Sequence, residues 1–197
     1  MKFSTKIALL LAIFMSFSQK IVAKEAKDYT FNDNTWCYAQ VAFHEARGQG
    51  RTAMELVQSV TYNRVKAQRW PRSACAVVYQ SGQYAWTRLP IGHRVSSSTR
   101  LAPSDTQALA EALSLARSLR AGHWHPSISA DHFLSPEALP RRHNGTPRFP
   151  AWARCQGPEM ACVVYRGVKV RAPDFTYNGL WFYTLSLSKL REPGNRW

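Results

Sequence analysis

The carboxyl group best placed for catalysis belongs to Glu45. On a helix, Glu45 shares a face with Tyr38, Val41 and Ala42, which precede it by seven, four and three residues. Burial among such side chains raises the pKa of a carboxyl group, and a general acid needs a raised pKa to hold its proton near neutral pH. Arg47, two residues further on, points away from this face. From position alone, however, a glutamate paired with an arginine at a helix end is the more common arrangement.

Predicted helices in the first half of the chain would hold Glu45 in place. The first begins near Asn34, with Asn34 or Thr35 as its cap, and ends at Gly48. A short turn of helix is expected over residues 74–79. Between them, a second helix covers about residues 52–68, and its apolar positions recur at helical spacing: Met54, Val57, Val60, Thr61 and Val65.

A long helix after residue 100 has the clearest pattern. Ser104 and Gln107 form a predicted capping box at its start, and Gly122 ends it. Its apolar stripe consists of Leu109, Ala112, Leu113, Leu115, Ala116 and Leu119.

The rest of the chain is more irregular. It is rich in Pro, His and Arg up to about residue 152, and strands are predicted at about 128–134, 162–170 and 180–187. We therefore predict an α+β fold, with a single domain that has a mainly helical N-terminal part and a small β part.

The N-terminus has the features of an export signal. Lys2 and Lys6 precede an apolar run over residues 7–17, and a polar stretch then leads to the small residue Ala23. The run is far shorter than the ~20 residues that span a bilayer as a helix. We interpret residues 1–23 as a signal peptide or an uncleaved export segment, 24–34 as a linker and 35–197 as the folded domain. Either form of export places that domain in the periplasm or outside the cell.

All four cysteines follow this segment, and an even number in an oxidising compartment predicts two disulfides. Four cysteines allow three pairings. We favour Cys37–Cys75 and Cys155–Cys162, because the second pair is close in sequence and flanks a turn-like Gln-Gly-Pro. Free buried thiols are the alternative, and zinc is disfavoured because no Cys-x-x-Cys pair is present.

The chain is strongly basic. It carries 26 Lys and Arg against 12 Asp and Glu, a net charge of +14, which falls to +11 without the three lysines of residues 1–23. Such a polycation concentrates on nucleic acid, anionic lipid headgroups, or a cell wall with its teichoic acids, lipopolysaccharide and peptide carboxylates. Because export removes most contact with nucleic acid, we expect contact with anionic wall or outer-membrane polymers and none with nucleic acid. We also expect a monomer. Solvated charge that maintains solubility is the alternative.

Four short strings occur in a characteristic order and spacing. They are Phe-His-Glu-Ala-Arg-Gly-Gln at 43–49, Val-Thr-Tyr-Asn-Arg-Val at 60–65, Val-Val-Tyr-Gln at 77–80 and Gly-Gln-Tyr-Ala-Trp at 82–86. Together they resemble the SleB-type cell wall hydrolases, which include the spore cortex-lytic enzymes. More loosely, Asp131-His132-Phe133 and Pro150-Ala151-Trp152-Ala153 are similar to the family's Thr-His-Tyr and Pro-x-Trp-Ala elements. The likeness spans about residues 37–183.

This resemblance implies a lysozyme-like catalytic domain with a cleft for a glycan strand of peptidoglycan, and we expect no metal and no organic cofactor. Family members are muramidases or lytic transglycosylases, which cut between N-acetylmuramic acid and N-acetylglucosamine. By the same resemblance Glu45 is the catalytic acid/base. The residues that we assign to substrate binding are Gln83, Tyr84, Trp86, Arg47, Asn63, His132 and Trp152.

A lone carboxyl group favours the transglycosylases, because ordinary glycoside hydrolysis needs a second one across the scissile bond. Among the other acids, Glu55 fits a solvated helix charge, and Asp131 fits either a second acid or a turn residue. Two positions depart from the family. Gln49 stands where a second Glu is common, and Gly-x-His-x-Phe-Tyr is reduced to Leu180-Trp181-Phe182-Tyr183.

Two other functions compete with glycan cleavage. A zinc-dependent peptidoglycan amidase or endopeptidase could use His123 and His125, with Asp131 or His132 as a third ligand. Against it, Gly48 stands where a His-Glu-x-x-His motif starting at His44 would need its second histidine. The remaining alternative is a cationic module that binds the wall without cutting it.

Overall fold

The computed structural model describes residues 33–88, 95, 99–158 and 160–185. The predicted signal peptide at 1–23 and residues 24–32 of the predicted linker lie outside the described residues. The fold is α+β, as predicted, and the chain forms two compact units that divide after His125. This boundary falls inside the segment 35–197 that the sequence predicts as one domain. Within the described residues, no helix has both the length and the apolar character needed to cross a membrane.

The described part of the first unit contains four α-helices and is organised around the first of them. The helices are α1 (Asn34–Ala46), α2 (Arg51–Lys66), α3 (Ala74–Val78) and α4 (Pro103–Arg120). Helix α1 packs against each of the other three and has ten buried residues. The six apolar residues predicted for α4 are all buried, and of the five predicted for α2 only Val65 is partly exposed.

The start of α1 differs from the sequence prediction. Asp33, rather than Asn34 or Thr35, is its cap, because the Asp33 carboxylate accepts the backbone N–H groups of Thr35 and Trp36 at 2.6 and 3.4 Å. The Asn34 side chain instead accepts the backbone N–H of Cys75 at 3.3 Å. The predicted disulfide Cys37–Cys75 is present and joins the same two helices, α1 and α3.

The predicted capping box of α4 is wrong, whereas its predicted end is confirmed. Pro103 occupies the first helical position, which suits its fixed φ, and no side chain caps the helix start. At the other end Gly122 has a φ of 74°, and the N–H groups of Gly122 and His123 donate to the carbonyls of Leu119 and Ser118. These two bonds satisfy carbonyls that the helix end would otherwise leave unpaired.

The second unit is built from short antiparallel strands. They are β1 (His132–Leu134), β2 (Cys162–Tyr165), β3 (Val168–Arg171), β4 (Phe175–Tyr177) and β5 (Leu180–Tyr183). One sheet has the order β1-β5-β4, and β2 and β3 form a separate hairpin. The predicted strands at 128–134 and 180–187 are therefore shorter in the structure, and residues 186–187 lie outside the described part.

Two tight turns shape these strands. The segment 162–170, predicted as one strand, is two strands because Arg166 and Gly167 both take positive φ, as a two-residue hairpin turn of type I′ requires. Asn178 and Gly179 connect β4 to β5 in the same way. The predicted disulfide Cys155–Cys162 is also present. The core of this unit consists of Leu134, Phe149, Ala153, Val170 and Tyr183.

Candidate active site

Glu45 lies in the last turn of α1, where it is partly buried and has the indole of Trp86 close to its carboxyl group. Burial raises the pKa of this carboxyl group from 4.5 to about 7. Trp86 acts in the opposite direction, because its indole N–H lies near enough to favour the charged carboxylate. That N–H makes no hydrogen bond of normal geometry within the described residues, so its effect is the smaller one. Near pH 7, Glu45 is therefore protonated and ionised in similar amounts.

Local backbone interactions shape the segment 80–88 that faces Glu45. Gly82 has a φ of 83°, which residues with side chains rarely adopt, and the Gln83 N–H donates to the Gln80 carbonyl at 3.2 Å. The backbone N–H and hydroxyl of Thr87 both donate to the Tyr84 carbonyl, at 3.3 and 2.8 Å. A 3₁₀ turn over Ala85–Arg88 follows and carries Trp86.

The aromatic ring of Trp86 is buried among other rings. His44 stacks on it with 4.2 Å between ring centroids and 15° between the planes, and Tyr79 and Tyr84 lie 6.0 and 6.2 Å from it. Burial, and then the charge of Arg47, lower the pKa of His44 to about 4, so this ring is neutral at pH 7. Because His44 covers one face of Trp86, the indole cannot offer both faces to a sugar. Its contact with the Glu45 carboxyl group is instead made through the N–H edge.

Arg64 of α2 holds two of the predicted substrate-binding residues in place. Its guanidinium donates to the side-chain carbonyl of Gln83 at 2.9 Å and to the hydroxyl of Tyr84 at 3.3 Å, and it lies 4.8 Å from the ring centroid of Trp70. Arg64 is only 4% exposed. This role of Arg64 was not predicted from the sequence, although Arg64 follows the buried Val57 by seven residues and so shares its helix face.

The other two predicted substrate-binding residues of this unit have different surroundings. Arg47 is exposed and pairs with Asp105 of α4 at 3.1 Å, and its guanidinium lies 4.8 Å from the ring centroid of Phe43. Asn63 is half-buried near the end of α2. The structure therefore places Trp86 beside the Glu45 carboxyl group and Tyr84 close enough to feel its charge. Substrate contacts of all five predicted binding residues of this unit stay predictions.

The other candidate acids do not have the surroundings of a second catalytic carboxyl group. Glu55 pairs with Arg51 on the surface at 3.2 Å, which confirms its interpretation as a solvated helix charge. Asp131, in the second unit, is fully buried. One of its carboxylate oxygens accepts the backbone N–H of Leu185 at 2.8 Å and lies 2.8 Å from Nδ1 of His132. Asp131 therefore positions its neighbours and is not exposed to activate water.

His132 and Trp152, both predicted to bind substrate, contact each other within the second unit. Their ring centroids are 4.9 Å apart, and Trp152 packs edge-on against Tyr183 at 5.3 Å. His132 is 4% exposed, while Trp152 is partly exposed. Burial raises the pKa of Tyr183 above its ordinary value. The sequence analysis assigned no role to Tyr183, although it ends the string at 180–183.

The residues of the competing zinc hypothesis are not grouped as a metal site. His123 and His125 are exposed, and the indole N–H of the intervening Trp124 donates to the Leu115 carbonyl at 3.1 Å. Among the residues that the structure describes, no group of three or more His, Cys, Asp or Glu side chains is arranged to hold a metal ion.

Comparison with known proteins identifies the family. A family model described as Cell Wall Hydrolase matches residues 48–161. Because this match covers more than half of the 197 residues, the chain belongs to the SleB-type cell wall hydrolase family, and peptidoglycan is its substrate. The matched region includes Gln83, Tyr84 and Trp86 and begins three residues after Glu45. No curated protein and no solved structure matches the chain.

Proposed function

We propose that the protein cuts the glycan strands of peptidoglycan between N-acetylmuramic acid and N-acetylglucosamine, with Glu45 as the acid/base. The observation that carries this proposal is the partly buried Glu45 carboxyl group beside Trp86, whose pKa desolvation raises to about 7. Membership of the cell wall hydrolases supports the polymer, and the properties of Glu45 support the type of bond.

The first step requires a proton donor at the glycosidic oxygen. At pH 7, a carboxyl group with a pKa of about 7 is protonated roughly 150-fold more often than one with a pKa of 4.5. Glu45 therefore carries the proton that the departing N-acetylglucosamine oxygen must receive. A donor whose pKa lies near the working pH is also the most effective general acid.

The second step uses the carboxylate that remains. Glu45 takes a proton from the C6 hydroxyl of N-acetylmuramic acid, whose oxygen then bonds to C1 and closes a 1,6-anhydro ring. The proton gained replaces the proton given, and no water is consumed. The buried and hydrogen-bonded state of Asp131 supports this lytic transglycosylation over hydrolysis, which needs a second carboxyl group.

Neighbouring side chains would orient the glycan. Because the Gln83 carbonyl accepts from Arg64, the opposite end of the Gln83 amide, the NH2 group, is the part left to donate to a sugar oxygen. Tyr84 and Trp86 line the site next to Glu45. Arg47 and Asn63 provide further contacts with the glycan on this unit. A role of His132 and Trp152 in binding substrate stays a prediction from the sequence.

We place this activity outside the cytoplasm, in the periplasm or the extracellular space. Peptidoglycan lies there, and the two disulfides, Cys37–Cys75 and Cys155–Cys162, are typical of proteins that fold in an oxidising compartment. The N-terminal export segment predicted at residues 1–23 supports the same location.

The test is digestion of purified peptidoglycan by the natural chain and by two matched variants, followed by mass spectrometry. Glu45→Gln keeps the size of the side chain and removes the proton, so we expect a loss of activity of about 10²- to 10⁴-fold. Glu55→Gln makes the same chemical change at a surface ion pair and should keep activity within about twofold. The natural chain should release fragments with anhydro-muramic ends.

Each other outcome identifies a different function. Fragments with reducing muramic ends would leave Glu45 as the catalytic acid but show that the reaction is hydrolysis and not transglycosylation. Free peptides, together with activity that EDTA abolishes, would favour the zinc enzyme with His123 and His125. Undiminished clearing by Glu45→Gln would refute the catalytic assignment. Binding without any soluble product would indicate a cationic wall-binding module.

A further inference from the structure

An open pocket of about 530 Å³ in the second unit is lined by basic side chains. We call this the arginine pocket, and its residues are Arg141, Arg142, His143, Arg148 and Arg154. All five are exposed, and each of the four guanidinium groups carries a full positive charge at neutral pH. Because like charges repel, this arrangement is stabilised when an anion enters the pocket.

A tight loop brings three of the arginines together. The backbone N–H of Arg142 donates to a carbonyl across the loop at 2.8 Å, and the N–H of Arg148 donates to the Pro140 carbonyl, also at 2.8 Å. Gly145 takes a φ of 77° where the loop reverses. Arg141 and Arg142 therefore lie on one arm of the loop, and Arg148 lies on the other.

The hydrophobic core of the second unit fixes this loop and the fourth arginine. Arg148 precedes the buried Phe149, and Arg154 follows the buried Ala153. The Nε–H of Arg154 donates to the Phe149 carbonyl at 3.1 Å, and the next residue along the chain belongs to the disulfide Cys155–Cys162. The pocket is thus largely formed before a ligand arrives, which lowers the entropy lost on binding.

Acidic side chains balance little of this charge. Glu137 pairs with Arg141 at 3.2 Å, but it also pairs with Arg166 at 2.9 Å, so two arginines share one carboxylate. Within the described residues, Arg142, Arg148 and Arg154 form no ion pair. The pocket therefore keeps a large excess of positive charge that faces solvent.

We propose that the arginine pocket binds phosphate groups of the cell envelope and holds the enzyme at its substrate. Guanidinium groups match phosphate oxygens with paired hydrogen bonds, and several of them together suit a ligand with several closely spaced negative charges. A single carboxylate would occupy only one or two of the four arginines. The envelope contains phosphate in two forms, as phosphodiester wall polymers and as glycolipid or phospholipid headgroups. The pocket is formed by other residues than Glu45, so this proposal does not rest on the proposed catalytic mechanism.

The test measures binding with full-length protein that carries Glu45→Gln, so that the wall is not degraded. The first probe is inorganic polyphosphate, compared with polyglutamate of equal charge, by calorimetry at about 0.15 M salt, where long-range attraction is screened. We expect polyphosphate to bind at least tenfold more tightly. Arg142→Gln with Arg148→Gln should weaken that binding at least tenfold. The control pair, Arg72→Gln with Arg100→Gln, removes the same charge from exposed sites of the first unit and should weaken it less than threefold.

Further variants and ligands separate the outcomes. Arg142→Lys with Arg148→Lys keeps the charge but loses the planar fork, so binding should fall to an intermediate level even if the Gln pair folds poorly. Equal weakening by the pocket and control pairs, or equal binding of polyglutamate, would overturn the proposal. Sacculi before and after chemical removal of phosphodiester polymers, and neutral vesicles with and without lipopolysaccharide, identify the source. If the protein binds neither the sacculi nor the lipopolysaccharide vesicles, or binds duplex DNA more tightly than either, the proposal that the ligand belongs to the cell envelope is overturned.

Discussion

Ionisation of Glu45 should destabilise the folded protein, and Glu45→Gln should reverse the effect. Burial raises the pKa of this carboxyl group from 4.5 to about 7, so the folded state holds the proton more tightly than the unfolded chain does. Stability is therefore fully present at low pH and falls as the pH rises from 4.5 through 7. One pKa unit corresponds to about 1.4 kcal/mol, so the loss between pH 5 and pH 8 is roughly 2–3 kcal/mol. Glutamine is neutral at both pH values and does not incur this loss.

The assay is urea-induced unfolding of the natural chain and of Glu45→Gln at pH 5 and pH 8, followed by tryptophan fluorescence. The free energy of unfolding of Glu45→Gln, relative to the natural chain, should be roughly 2–3 kcal/mol higher at pH 8 than at pH 5. Titration of all other groups cancels in this comparison. Glu55→Gln is the control, because its exposed pair with Arg51 should change stability by less than about 0.5 kcal/mol at either pH.

One result would refute the reasoning. If the difference between Glu45→Gln and the natural chain is the same at both pH values, within about 0.5 kcal/mol, the carboxyl group is not held in a protonating environment. Glu45 would then lack the raised pKa that a general acid needs at neutral pH. A variant that is less stable at pH 8 would point instead to a stabilising partner for the carboxylate.

Further predictions concern activity and the first disulfide. Because Glu45 must be protonated, kcat/KM on purified peptidoglycan should fall about tenfold per pH unit above pH 7, and a profile that rises through pH 8 would contradict this. Trp86→Phe removes an N–H that favours the carboxylate, so the same decline should begin at higher pH. Cys37→Ala with Cys75→Ala opens a loop with a sequence separation of 38 and should cost about 3–4 kcal/mol in urea unfolding. The disulfide of the second unit, with a separation of 7, should contribute less, and an equal loss would argue against the loop-entropy explanation.

Local patterns predicted much of the fold. The buried stripe of α4 follows from the spacing of its apolar residues, because a helix presents every third or fourth residue on one face. The turn at Asn178 and Gly179 also has a strong local signal, since these residue types accept positive φ, although the sequence analysis did not use it. Helix starts were less predictable. Asp33 caps α1 because Asn34 is engaged by a backbone group 41 residues away.

The candidate site depended more on tertiary structure. The sequence predicted Glu45, Gln83, Tyr84 and Trp86 from local strings, and the structure places Trp86 and Tyr84 near Glu45. The sequence did not predict that Arg64 would hold Gln83 and Tyr84. Nor did it indicate the arginine pocket, because the stretch that contributes its side chains showed only an excess of charge.

By itself, the sequence determined the identity and order of the chemical groups: a glutamate on an apolar helix face, aromatic and amide residues further along, paired cysteines and a large positive charge. Only the tertiary structure decided how these groups behave. The pKa of Glu45 rises because chain segments about 40 residues apart exclude water from it. The arginines form one pocket because a loop and a buried core bring them together. Desolvation and charge convergence both depend on distances in space, and a residue's place along the chain does not specify those distances.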